Sequence, residues 1–543
     1  MRKLRDIGFD KLLLIPAMLF LSFVMGYIVY INFAYYWSHL HFDIATDLAF
    51  VREARVQGTL FPDGWLHLRE VRLAHITSVV LLVYTITGNL HLSYPIAVSL
   101  MLLVNVCLFY YMVSFRKVSP LAVVMGVLSL LVLFAFMNAR QCLSIFTILF
   151  VNGSYALHLS AVLFTLGVYM RQKTREKRVS IALWGLMAAV AFVQGVQSNR
   201  LLIGLYLPIL LVELWPILMD LLDNKPFRLR QIEKSTMLAA LGFSCALAGI
   251  LFMQFLFRRG IVISYYTNAH VDLTLIVKRE FGDRLLYFIH QATAAFGLRG
   301  GIRVFSLDGM VYFGRLFVLV VTLTAFSKMK AGIGKANVDN VLVRVLFVSI
   351  CCLSFVMLLT EMEIAARHIF TAVVWISVIL VFVIDHFVRQ KQWFLTAMAC
   401  AAVCFISAAA MVTFPLAHNT AMIEDRQRVA DFIVEQELTI GYGTIVEGET
   451  IAAVADFAFH AITIDDRTFY PIPRGVTMAQ LHHEEERVFF ISVGWLVQSE
   501  MAREFLESGE RHDFPGGWVV YIFEENPWRE LHGMHATDDR WRR

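Results

Sequence analysis

The chain has 543 residues, 58% of them hydrophobic and 17% charged, with a mean hydropathy of +0.65. A globular domain is roughly 45–50% apolar and about 25% charged, so a soluble enzyme is excluded and an integral membrane protein with several spans remains. The net charge of +4 hides an uneven split: 23 acids, 11 Arg and no Lys follow Pro415, whereas 36 Lys+Arg and 20 acids precede it, so the tail is an acidic, solvated domain and nucleic acid is excluded as a partner.

The first apolar run, Leu12–Ile31, follows a basic Met1-Arg-Lys-Leu-Arg5. It is too long for a signal-peptide core and no A-x-A cleavage site follows it. Basic flanks stay cytoplasmic, so this helix runs from inside to outside. A long external loop follows at 32–94. Its stretch Ala74–Tyr94 is apolar, and we read it as a helix lying at the outer surface or entering only part way. Further spans are expected at 95–115, 119–137, 153–170, 180–196, 202–222, 236–257, 311–327, 341–360, 368–388 and 393–414, about eleven in all. With that number the basic clusters at 116–117, 171–178, 225–234, 328–335 and 389–391 all fall inside. The N-terminus is then cytoplasmic and the tail extracytoplasmic. A second long external loop, 258–310, carries seven Lys/Arg against four acids. It reads either as a solvated loop or as an electropositive cover over an anionic lipid.

The expected organisation is a polytopic α-helical domain over 1–415 and an extracytoplasmic α/β domain over 416–543. In the tail an amphipathic helix is expected at 420–436, strands at Thr439–Val446, Ala458–Ile464, Val488–Val493 and Trp518–Phe523, and helices at 449–456 and 499–508. All seven cysteines lie before the tail, in or beside apolar runs, so no disulfide framework marks its compartment.

Ionisable groups near membrane depth are costly, and the densest set lies in the first external loop. Asp43 and Asp47 are spaced i, i+4 and share one face of a helix. Two close carboxylates repel, which raises one pKa and suits it to proton abstraction. The same pair would be the ligands if a Mg or Mn ion were held, although no metal or other cofactor is required by the sequence. The plain alternative is an acidic helix start with Asp43 as its N-cap. Two other patterns carry nothing. Thr439-Ile-Gly-Tyr-Gly443 fits a potassium-filter string but no membrane helix follows it, and His482-His-Glu-Glu-Glu486 does not fit the H-E-x-x-H zinc pattern.

Asp43-Ile-Ala-Thr-Asp47 and Trp65-Leu-His-Leu-Arg-Glu-Val-Arg72 together resemble the first external loop of the GT-C superfamily, the polytopic glycosyltransferases that use polyprenyl-phosphate sugars. Protein O-mannosyltransferases and the aminoarabinose transferase of lipid A belong to it. The closer resemblance is to a bacterial branch in which an acidic pair precedes a W-Y-Y-S-T-E-L-R motif. Trp65, Glu70 and Arg72 match that motif, while Leu68 and Arg69 replace its Ser-Thr pair. Gln197-Ser-Asn-Arg200 with Pro208 resembles an external G-x-R…P turn, Glu361–His368 an external R-Y-x-x-P turn without its Pro, and Gly441-Tyr-Gly443 a G-Y-A-x-Y-W segment without its Trp.

The resemblance implies an inverting transfer of a hexosyl or pentosyl unit from a polyprenyl-phosphate donor at the outer face of the cytoplasmic membrane. The acceptor would be a hydroxyl of a cell-envelope glycan, lipid or protein. It implies Asp43 as general base with Asp47 beside it, and Glu70 and Arg72 in support. Arg200 and Arg367, at external helix ends, are candidates for the donor phosphate, because a guanidinium grips phosphate in bidentate fashion and keeps its charge. The alternative for Arg367 is an ion pair with Glu361 or Glu363. Rival readings of the whole chain are a polar-lipid flippase, for which inverted repeats and Gly/Pro-broken mid-membrane helices are missing, and a membrane-anchored interaction protein.

Overall fold

The computed structural model describes residues 9–67, 71–135, 144–174, 179–224, 232–264, 281–298, 301–332, 339–360, 362–413, 420–444, 447–464, 471–472, 477, 480, 485–493 and 506–528. The chain opens with α1 (Phe9–Ala34), the short α2 (Tyr36–His39) and α3 (Phe42–Gln57), which stops at Gly58 in the left-handed region. Strand β1 (Leu66–His67) and α4 (Ile76–Thr87) follow. Gly88, at φ 68°, ends α4 and turns its N–H back to Tyr84 O. A new helix, α5 (Leu90–Val113), starts two residues later. The apolar stretch Ala74–Tyr94 is therefore not one helix. At 1.5 Å per residue the 12 residues of α4 reach about 18 Å, short of the roughly 30 Å hydrocarbon core.

Next come α6 (Pro120–Leu128), drawn out by a π-turn at Ser129–Leu133, a second π-turn at Thr147–Val151, α7 (Ala156–Thr174) and α8 (Ile181–Gln197). A π-turn at Leu202–Tyr206 runs into α9 (Leu207–Leu222), followed by α10 (Lys234–Arg258), β2 (Ile263–Ser264) and α11 (Phe281–Ala295). Helices α12 (Leu307–Gly332), α13 (Asp339–Leu359), α14 (Thr371–Arg389) and α15 (Trp393–Val412) complete the apolar series.

Among the described residues, eight helices are long and apolar enough to cross a membrane: Phe9–Ala34, Leu90–Val113, Leu202–Leu222, Lys234–Arg258, Leu307–Lys328, Asn340–Leu359, Ala366–Arg389 and Trp393–Val412. The protein is a multi-pass membrane protein, and all eight coincide with expected spans. The other three expected spans are helices too, but Pro120–Leu133 and Ile181–Gln197 are shorter, and α7 ends in Arg171 and Lys173. The count of eleven is thus not reached by length and composition.

The chain divides into two compact units. One comprises Met1–Ile31, Val98–Phe252 and Val271–Pro415, the other Asn32–Ala97, Met253–His270 and Leu416–Arg543. In the first unit α14 is buried almost throughout and packs on α6, α12, α13 and α15. Helices α8 and α10 cross closely at Gly195 and Gly249: a Cβ at Gly195 would stand 2.0 Å from Ala246 O, so only glycine fits. Two charged groups here bond several partners each. Asp385 accepts from Ser119 N (2.8 Å), Arg116 Nη2 (3.2 Å) and Arg389 Nε (2.8 Å). Arg284 donates through Nη2 to Met357 O, Thr360 O and Met362 O at 2.6–2.7 Å, which caps the end of α13. This takes Arg284 out of any charged cover formed by 258–310. Asp272, Lys278, Arg279, Glu280 and Arg299 of that loop lie outside the described residues.

The second unit holds α16 (Thr420–Glu435), β3 (Ile440–Thr444), α17 (Gly448–Val454), β4 (His460–Ile464), β5 (Pro471–Ile472), β6 (Val488–Val493), β7 (Glu510–Asp513) and β8 (Trp518–Phe523). The strands form one six-stranded mixed sheet in the order β5-β4-β3-β6-β8-β7, with β3 parallel to both β4 and β6. The four expected strands are all present, two of them shorter than expected. The expected helix at 499–508 lies almost entirely outside the described residues. Tyr442 stacks on Trp528 at 4.1 Å in the sheet core, with Phe490 and Phe523 against the same ring. Strands β1 and β2 pair in parallel, Leu66 opposite Ile263, so the first loop and the chain just after α10 are laced together within this unit.

Candidate functional site

Each unit carries one cluster of candidate residues. In the second unit α3 is an acidic helix with a histidine cap. His41, in extended conformation, accepts the Asp43 N–H on its ring at 3.1 Å. The N-cap is therefore His41, and Asp43 lies inside the first turn, where a carboxylate favours the helix dipole. Asp43 is half-buried and Asp47 fully so, at 3% exposure.

Asp47 stands in a closed polar pocket of named groups. Arg72 Nη1 lies 2.6 Å from its Oδ1, Tyr94 OH donates to its Oδ2 at 3.3 Å, and His75 Nδ1 stands 3.8 Å from Oδ1. Arg72 is held in turn by the start of α4, where the Thr77 and Ser78 hydroxyls donate to its carbonyl at 3.1 and 3.3 Å. Burial pushes the Asp47 carboxyl from 3.8 up to about 6, against the pull of the Arg72 guanidinium, and the neighbouring Asp43 charge adds to the rise. The expected rise in pKa is present. Its main cause is desolvation rather than carboxylate repulsion.

The pair makes a poor metal site, because the Arg72 guanidinium already supplies Asp47 with the positive charge a divalent ion would bring. Among the described residues no group of three or more His, Cys, Asp or Glu is placed to hold a metal. Glu70 lies outside the described residues.

In the first unit, Arg200 follows the end of α8. Its guanidinium bonds the Tyr155 hydroxyl and sits 5.1 Å from that ring's centre. Arg367 and His368 lie in the short 3₁₀ turn Ala366–Ile369 that leads into α14. Gln291 of α11 fixes this turn by accepting the Ala366 N–H at 3.2 Å. Both Arg200 and Arg367 are close enough to His368 to act on it electrostatically, so the two arginines share one basic locus. Tyr155 also packs against His158 and Phe370, with ring centres 5.3 and 6.2 Å away. Arg367 pairs with Glu363, four residues before it, and His368 Nε2 stands 3.8 Å from the same carboxylate. The bond from His368 and the charges of Arg367 and His368 hold Glu363 down at about 2. Glu361 lies outside the described residues.

No protein-family model matches the chain, and no curated protein matches it. Among solved structures, ArnT from Cupriavidus metallidurans bound to undecaprenyl phosphate aligns at TM-score 0.49 and 12% identity over 92% of this chain and 97% of that one. ArnT from the same organism in the apo state aligns at TM-score 0.47 and 12% identity, over 93% and 98%.

The structure thus brings Asp43, Asp47 and Arg72 together in one unit, and Arg200 and Arg367 together in the other. Sequence reasoning missed His41, His75 and Tyr94 around the acids and Tyr155 beside Arg200. His75 is three residues beyond Arg72, a spacing that reading on from the motif would have reached. Tyr94 sits on an apolar helix and Tyr155 in the turn just before another, and neither carries such a signal.

Proposed function

We propose that the protein is a GT-C-type glycosyltransferase that moves a sugar from a polyprenyl-phosphate donor to an acceptor hydroxyl at the outer face of the cytoplasmic membrane, with inversion. The observation that carries this reading is the acidic helix that follows the first span, with a half-buried Asp43 one turn from a buried, arginine-paired Asp47. An inverting transfer needs one carboxylate to take the acceptor proton while the phosphate leaves. Asp43, the less enclosed of the two, is the general base. Asp47, locked by Arg72, Tyr94 and His75, fixes the helix turn from which Asp43 is presented. The locus of Arg200 and Arg367 suits the donor phosphate, since fixed guanidinium groups match a phosphate's oxygens and lower the cost of the charge that develops on departure. In this reading the donor lipid lies in the bilayer, Glu70 and Arg72 support the acids, and the acceptor is a cell-envelope glycan, lipid or protein.

The test is the lipid-linked sugars and surface glycans of cells lacking the gene. Restoration of the missing glycan by the wild-type chain and not by Asp43→Asn supports the reading. Restoration by both removes Asp43 as the base.

A further inference from the structure

We propose that Glu449, in the C-terminal sheet region, is a positioning residue for the acidic helix: by bridging Thr46 of α3 to Thr463 of β4 it fixes the rotation at which Asp43 and Asp47 are presented. The inference rests on the reading of that pair as the catalytic carboxylates.

Thr46 lies between the two aspartates, and its hydroxyl is within hydrogen-bond reach of Phe42 O at 2.7 Å and of Glu449 Oε2. The other carboxylate oxygen, Oε1, accepts from the Thr463 hydroxyl at 2.9 Å. All three residues are buried, at 2%, 5% and 1% exposure, so water does not readily replace a lost partner and the bridge has one geometry. The sequence builds this bridge with glycines. In the β3–β4 register Gly443 stands opposite Thr463. A Cβ on Gly443 would come within 2.6 Å of Gly448 Cα. The bare backbone at both positions lets α17 settle onto β3, and Glu449, one residue on, reaches β4 and α3 together. This gives the Gly441-Tyr-Gly443 motif a role that no channel or core argument supplied.

Two other ties join the same parts: Arg52 Nη1 to Phe457 O, and Arg426 Nη1 to Leu40 O at 3.0 Å. They hold α3 near its C-terminal half and the residue just before its cap. Of these three ties to the residues after 415, the one from Glu449 grips the turn that carries both acids, at Thr46, while Arg72, Tyr94 and His75 hold Asp47 itself. A helix rotates 100° per residue, so a small loss of grip at Thr46 swings both carboxylates, and a misplacement of about 1 Å can cost roughly a hundredfold in rate.

The test compares full-length Glu449→Ala, Glu449→Gln and Thr46→Val by two readouts. The first needs no turnover: the pH midpoint at which Asp47 is modified by dicyclohexylcarbodiimide, which attacks protonated carboxyls, followed by mass spectrometry. Asp47 is faced by Asp43 and His41 from its own helix and cap, by Arg72 and His75 from the segment after β1, and by Tyr94 from α5. The wild-type midpoint is expected near the raised pKa of about 6. Glu449→Ala and Thr46→Val should move it toward the ordinary 3.8 of an aspartate as the carboxyl meets water. Glu449→Gln keeps an acceptor oxygen and should leave it in place.

The second readout is restoration of the surface glycan in cells lacking the gene, normalised to folded protein. Glu449→Ala and Thr46→Val should lower it by roughly ten- to a hundredfold, with Glu449→Gln within about threefold of wild type. If Glu449→Ala or Thr46→Val lowers thermal stability alone, with midpoint and per-molecule transfer unchanged, Glu449 is a packing residue and the proposal is overturned. Normal transfer by Asp43→Asn would instead sink the catalytic reading, and the carbodiimide midpoint separates that failure from this one.

Discussion

Burial and a fixed arginine partner set Asp47 apart from a free aspartate. Its folded pKa of about 6 exceeds the ordinary 3.8, so the folded state binds its proton more tightly than the unfolded chain does. The linked stability is fully present below the lower value and is lost as pH rises through the upper one, on the order of 1.4 kcal/mol for each tenfold difference in proton affinity between the two states. Thermal melts of wild type and Asp47→Asn between pH 4 and 7 should therefore differ in slope, with the variant flatter. The same coupling bears on turnover. The acid limb of kcat/KM should include the protonation of Asp47 near pH 6. Asp43→Asn should cut transfer by about 10²–10⁴-fold with folding intact. Asp47→Asn should cost less and remove the part of the acid limb near pH 6 that belongs to Asp47. At the basic locus Arg200→Ala and Arg367→Ala should lower kcat/KM for the donor by roughly ten- to a hundredfold, since a charge-assisted bond contributes about 1.5–3 kcal/mol. Lysine at either position should restore part of it. The ion pair with Glu363 makes a sharp alternative for Arg367. If the pair only fastens the turn before α14, Arg367→Ala lowers expression or melting temperature and its folded fraction uses donor normally.

At the scale of elements, what was legible followed from periodicity and what was not followed from contact. The apolar runs gave the spans because a helix in lipid must satisfy its own backbone, so length and hydropathy suffice. They did not give the break at Gly88, where one residue at φ 68° divides an apolar stretch into α4 and α5. The central tail strands were legible from Val488–Val493 and Trp518–Phe523, which are nearly all apolar. Strand β7, Glu510-Arg-His-Asp513, has no apolar alternation, because charge is how an edge strand avoids pairing with another chain. Strands β1, β2 and β5 have two residues each, too short for any pattern. In the site, the i, i+4 acids were legible and His75 lay within reach of the Arg72 motif, whereas Tyr94 meets Asp47, and Glu449 meets Thr46 between the acids, through tertiary packing alone. The glycine pair in the sheet gives an element-scale prediction. Gly443→Val places a Cβ 2.6 Å from Gly448 Cα, a backbone atom that cannot swing aside. It should cost about 1–3 kcal/mol by overpacking, visible as earlier proteolysis of the region after residue 415, with the apolar helices unaffected.

For the molecule as a whole, the consequence of the charge pattern is a direction. By the positive-inside rule, a basic Met1-Arg-Lys-Leu-Arg5 before the first span and basic clusters between later helices predict a cytoplasmic side for those segments. On that prediction the acidic helix and the sheet region belong to the opposite face. The eight helices that qualify by length and composition do not fix this parity, because Pro120–Leu133, Ala156–Thr174 and Ile181–Gln197 are apolar helices whose crossing decides it. Each crossing among these three flips every segment after it, so sidedness is best read directly at two exposed positions. Ser508, beside β7, and Gln390, just after α14, are both exposed. With the seven native cysteines replaced, Ser508→Cys should react with an impermeant maleimide in intact spheroplasts and Gln390→Cys only after lysis. The reverse pattern would put the acidic helix in the cytoplasm. Reaction of both in intact spheroplasts would mean that α15 does not cross. The reverse pattern would also remove the outer membrane face as the place of transfer and would require a donor whose sugar faces the cytoplasm, whereas labelling of both leaves the sheet region outside and revises only the number of crossings.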